Sequence, residues 1–142
     1  MPASRYDIYA EKGTTFKLHL LYKFAGGTGI DLSGFKGGIQ VRRSINDDKA
    51  ILFLTENGIT GGGITGEFYP GVNGIAGVGG ISFNTGIDGT GQTGGILLKI
   101  DHVTMKNAIA GKHFYDFELQ NTSQEVVRLI EGTFEISKEV TR

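Results

Sequence analysis

Outside its middle third, the chain alternates apolar and polar residues with a period of two, the pattern of half-buried β-strands. In TTFKLHLLYK, Phe16, Leu18, Leu20 and Tyr22 alternate with Thr15, Lys17, His19 and Leu21. FKGGIQVRR repeats the pattern, with Phe35, Ile39 and Val41 on one side and Lys36, Gln40 and Arg42 on the other. AILFLT is a short continuous apolar run bounded by NDDK and ENG, which predicts a strand rather than a helix. ILLKI predicts another. KHFYDFELQ sets His113, Tyr115, Phe117 and Leu119 against Phe114, Asp116, Glu118 and Gln120. VVRLIEGTFEISKEV closes the set with Ile130, Phe134 and Ile136 in phase, after the hairpin-like loop NTSQ. Only DHVTMKNAIAG reads as helical, for a turn or two, with Asp101 placed to cap it. About seven strands, antiparallel where adjacent, predict one all-β domain over residues 1–142, an antiparallel β-sandwich of immunoglobulin-like kind. The segment AGKHFYDFEL matches the corner and strand of such sandwiches. His113 stands where a tyrosine usually makes the corner hydrogen bond.

Glycine changes the picture. Of 24 glycines, 15 fall within residues 58–95, together with only two charged residues, Glu67 and Asp88. Apolar residues are spaced through the same segment, so it is no ordinary flexible linker, whose composition would leave little apolar surface to expose. The segment reads as an insertion that orders as an arm against a neighbouring subunit. Its contact residues would be Phe68, Tyr69, Val72, Ile75, Ile81, Phe83 and Ile87, joined by Arg5 and Tyr6 of the polar N-terminal stretch. A glycine-rich hairpin lying on the sandwich and a plain tether are the alternatives. On the arm reading, deleting residues 60–93 leaves a folded sandwich that assembles poorly.

Charge and chemistry narrow the function. Lys and Arg number 14 against 15 Asp and Glu, a balance that gives no concentrated positive surface for nucleic acid. There is no cysteine, hence no disulfide or thiolate metal site. No apolar stretch has the length of a membrane-spanning helix, and MPASRYDIYAEKG lacks the apolar core of a secretory signal, so folding in a cytoplasm is expected. GGGITGEF and GVGGISF lack the Lys-Ser/Thr ending of a phosphate-gripping loop, and DGTGQTGG lacks recurrent aspartates for calcium. His19, His102 and His113 are isolated from one another, which favours structural or surface roles. Asp116 and Glu118 share a strand face, an ordinary arrangement at a solvated surface. An enzyme would need such a pair in a pocket, with raised pKa values. The expectation is therefore no catalytic, cofactor-binding or metal-binding residue and no small-molecule substrate.

The order YDIYAEKGTTFKLHLLYK, GIDLSGFKGGIQVRRS, AGKHFYDFELQ and VVRLIEGTFEISKEVTR resembles a family of small structural proteins of tailed phages and prophages. It is similar to the immunoglobulin-like N-terminal domain of upper-baseplate proteins, which docks receptor-binding fibres onto a tail. The resemblance covers the chain outside residues 58–95, where such proteins have a shorter connection. It implies that Asp31, Leu32, Gly34 and Phe35 form the turn into the third strand, and that Tyr115, Asp116 and Leu119 occupy core-facing and edge positions near the C-terminus. It also implies a virion protein assembled in the host cytoplasm, a tail baseplate or fibre-adaptor component whose partners are copies of itself and other virion proteins. A capsid decoration or cement protein is the alternative within that context. A carbohydrate-binding module is the alternative of another class, weakened by the absence of tryptophan.

Overall fold

The computed structural model describes residues 4–44, 46, 49–56, 58–65 and 79–138, with backbone alone at 49, 50, 58–65, 79 and 107. Among them are ten strands: β1 (Ser4–Arg5), β2 (Ile8–Glu11), β3 (Phe16–Leu21), β4 (Lys36–Arg42), β5 (Lys49–Thr55), β6 (Gly58–Thr65), β7 (Gly79–Thr85), β8 (Gly91–Ile100), β9 (Gly111–Gln120) and β10 (Val126–Ser137). A single short helix, α1 (His102–Asn107), links β8 to β9. Asp101 caps it by accepting from the Thr104 N–H and hydroxyl.

The strands form a β-sandwich. One sheet runs β1-β10-β9-β4-β5-β6, with β2 also on β10; the other runs β3-β8-β7. Alternation decides which side chains enter the space between them. Ile39 and Val41 of β4, Phe117 and Leu119 of β9, and Phe134 and Ile136 of β10 meet Ile81 of β7 and Ile96, Leu98 and Ile100 of β8 in one core. The apolar run of β5 is buried throughout Ile51–Thr55. Phe53 and Thr55, paired with Gln40 and Gly38, therefore lie buried on the sheet's other face.

Two expectations are corrected. First, neighbouring strands are not all antiparallel, because β1 and β2 pair in parallel with β10. Such short pieces show no legible alternation, and parallel pairing leaves no hairpin signal. Second, the described ends of the glycine-rich segment are strands of the sandwich. β6 pairs with β5, and β7 pairs with β8. Ile81 is 4% exposed and the partly buried Phe83 packs on the core, so both contribute to this chain's own interior. Gly37 makes room for them, since a Cβ there would meet Ile81 Cδ1 at 3.0 Å and Phe83 Cζ at 3.1 Å. Phe68, Tyr69, Val72 and Ile75 lie outside the described residues.

The corner before β9 has a hydrogen bond without a tyrosine. The buried His113 ring reaches the Ile109 carbonyl at 2.7 Å, and because a carbonyl only accepts, Nε2 donates. Nδ1 is buried with no protein partner. His113→Phe keeps the ring's bulk but orphans the Ile109 carbonyl. It is expected to lower stability by about 1–3 kcal/mol, seen as a fall in the denaturant midpoint with an unchanged slope.

Candidate functional site

The outer face of the larger sheet holds a shallow basin of about 410 Å3, lined by Arg5, Gln40, Arg42, Phe114, Asp116, Glu118, Arg128 and Glu131 among others. Strand register assembles it. Across the sheet, Gln40, Asp116, Glu131 and Arg5 stand in one row on β4, β9, β10 and β1. Gly38, Glu118 and Arg128 form the row on one side of it, and Arg42, Phe114 and Thr133 the row on the other. A register shift between Arg128 and Ile130 inserts Leu129 as an extra residue. Simple alternation from Ile130 would turn Arg128 inward. The bulge keeps Ile130 in the core and sends Arg128 to the outer face. There its Nε lies 3.2 Å from Asp116 Oδ2.

Three arginines and three carboxylates thus share a partly desolvated surface. Burial pushes the Asp116 carboxyl above its usual range; Glu131 opposite adds to the rise, while Arg128 and Arg42 oppose it. Burial also raises Glu118, with the Asp116 charge adding and Arg128 opposing. A carboxylate whose folded pKa is raised gives up stability as pH climbs from the unfolded value through the folded one. At about pH 7 Glu118 is ionised and the cost is present; well below its ordinary range it is neutral in both states and the cost is gone. Glu118→Gln is therefore expected to melt slightly above the wild type at neutral pH, by no more than about 0.5 kcal/mol. The gap should close on acidification, as a pH series of thermal melts would show.

The rim toward the N-terminus has its own construction. The partners of β1 and β2 on β10 keep one register, yet the ladder lapses at Tyr6 and Asp7, opposite Gly132 and Thr133. The Asp7 carboxylate takes the place of a backbone acceptor and receives the Thr133 N–H at 3.0 Å. That bond, chiefly, lowers the Asp7 pKa. Beneath, the buried Tyr115 donates its hydroxyl proton to the Tyr6 carbonyl. Arg5 lies over the rim, its Nη2 3.2 Å from Asp7 Oδ1.

Of the residues expected to make contacts, Arg5 lines the basin, and Tyr6, next in the chain, is 44% exposed. Ile87 is 55% exposed in the turn between β7 and β8, on the other sheet, and is not brought to them. Asp116 and Glu118, read from the sequence as an ordinary solvated pair, are central. Gln40, Arg42, Arg128 and Glu131 had no individual signal; mixed charge at the outward positions of three neighbouring strands was the available one. His19 bonds through Nε2 to the Thr85 carbonyl at 2.9 Å, and His102 is exposed on α1. Among the described residues no three His, Asp or Glu side chains converge as metal ligands would. No family model matches the chain, and no curated protein matches it.

Proposed function

We propose that this chain is a non-enzymatic structural protein of a tailed-phage virion, a baseplate or fibre-adaptor component that acts by docking other proteins. The observation that carries the docking reading is the basin, where charges of both signs are held half-desolvated on a broad sheet face. Fixed, partly dry charge of both signs gives a partner protein register and selectivity. The virion context rests on the sequence motifs. We also read the strand order as immunoglobulin-like of the variable kind, in which a three-strand core sheet gains two further strands beyond its centre. In that reading β10, β9, β4, β5 and β6 are the extended sheet, β3, β8 and β7 the other, and His113 the corner residue.

Asp116 and Glu118 share a pocket with raised pKa values, which gives acid–base chemistry a foothold among the described residues. Their placement argues against it. Glycosidase carboxyls flank the bond they break, whereas these two stand side by side on one strand, with Arg128 paired to Asp116. Phe114, 39% exposed in the basin, favours the carbohydrate-binding reading as second choice, since an aromatic beside carboxylates suits a sugar ring. The two are separated by Arg5→Gln, which removes the charge at an exposed rim position without setting a like charge against Asp7 or Glu131. Docking predicts that virions made in cells carrying this variant incorporate about tenfold less of it while the purified protein melts within about 0.5 kcal/mol of the wild type. Unchanged incorporation, or glycan binding by the wild type in an array, would count against docking through this face.

A further inference from the structure

The sheet borders differ in how they are protected. On one border of the larger sheet, β1 and β2 are pieces of two and four residues separated by the Tyr6–Asp7 lapse. On the other, β6 pairs with β5 across a register shift. In the smaller sheet, β7 carries a shift between Phe83 and Thr85. Short length and bulges are the usual ways in which edges are kept from pairing with other chains. The remaining border, β3, has neither. It pairs with β8 over six consecutive residues without a shift, contains no proline, and bears one formal charge, Lys17.

A second observation lies on the inner side of the same strand. Phe16, Leu18, Leu20 and Tyr22 pack against the core but are only partly buried, whereas Ile96, Leu98 and Ile100 of the adjoining β8 are at most 2% exposed. Among the described residues no strand lies on the outer side of β3. The edge therefore presents both a ladder of backbone groups and an apolar row that a further strand would cover.

We propose that the strand which covers it is β3 of a second copy, antiparallel across a two-fold axis, so that two three-stranded sheets become one of six. This rests on the assembly reading and names one of its interfaces. Same-face pairing places the axis at a residue, and Leu18 and His19 lie at the middle of β3. The His19 register would set the two His19 rings against each other and Lys17 against the apolar Leu21. The Leu18 register avoids both. It sets Leu18 against Leu18, Phe16 against Leu20 and Lys17 against His19 of the second copy, so the lysines never oppose one another. Thr15 then faces Leu21, and both are exposed in the single chain.

Two double variants test the pairing by sedimentation velocity over a concentration series. Thr15→Lys with Leu21→Lys places like charges opposite at both ends, and Thr15→Lys with Leu21→Glu places opposite charges there. The wild type is expected to dimerise; the first variant should weaken the dimer about tenfold or more, and the second should restore it. Thermal melts check that each variant is folded. A wild type monomeric throughout overturns the self-pairing. A dimer whose strength ignores both variants overturns pairing through β3 while leaving assembly through another surface standing. The assembly reading itself fails only if the chain is missing from virions, a separate measurement.

Discussion

Deleting residues 60–93 is expected to abolish cooperative folding, giving insoluble protein or a broad, non-cooperative melt by circular dichroism. The segment contains most of β6, all of β7 and the first residues of β8. Without β7, the smaller sheet is reduced to β3 and β8. A two-stranded ribbon is marginal in water even when it is left whole. Ile81 and the packing of Phe83 leave the core at the same time, exposing the face of β8 that carries Ile96 and Leu98. Loss of a single buried isoleucine already costs about 2–5 kcal/mol, a large share of a domain's usual stability of about 5–15 kcal/mol. If the 60–93 deletion melts like the full chain, the glycine-rich region is an appendage and the placement of β7 in the core is wrong.

Gly132→Val is expected to cost roughly 3 kcal/mol or more and to free the N-terminal strand. The position lies in the inward row of β10, between Ile130 and Phe134, where valine has high strand propensity; any loss is therefore steric. A Cβ there would sit 2.5 Å from the Tyr6 carbonyl oxygen and 2.7 Å from Asp7 Oδ1. The first of these is backbone and cannot swing aside. The chain must lift β1 away, which breaks the Tyr115–Tyr6 hydrogen bond and removes Arg5 from the basin. Hydrogen exchange should show Tyr6 and Glu131 amides losing protection together, with the Phe117 region unaffected until global unfolding. An N-terminal strand still protected in the valine variant would contradict this account.

Much of the sandwich is legible from the sequence because its central strands are half-buried. Alternation alone places Ile39, Val41, Phe117 and Leu119 in the core, and the continuous run in β5 marks a strand covered on both faces. Asp101 followed by Thr104 marks the start of α1 for the reason that it caps it. The parallel border is not legible. Tyr6 and Asp7 interrupt the strand, and its partner lies more than a hundred residues away. Glycines hid β6 and β7, since a glycine leaves no apolar or polar mark on the pattern; Gly37, Gly95 and Gly132 matter through the space they leave. The basin needs register as well as pattern. Arg128 reaches Asp116 only because Leu129 is an extra residue, and a bulge shifts face without changing composition.

Two rings of β9, those of His113 and Tyr115, divide one task. His113 holds the incoming chain through Ile109, and Tyr115 holds the N-terminal strand through Tyr6. Both bonds go to backbone carbonyls that lie outside the strand ladders. β9 thereby fixes the rim of the basin from beneath while Phe114, Asp116 and Glu118 face outward from the same strand. Burial pushes the Tyr115 phenol well above its usual range, which suits a group that serves as a donor.

The proposed role as a docking component of a virion is checked by quantitative mass spectrometry of purified particles separated into heads and tails. The chain is expected in the tail fraction, in a fixed ratio to the other tail proteins and resistant to salt washing. Its absence from both fractions of particles made by cells that express it would rule that role out.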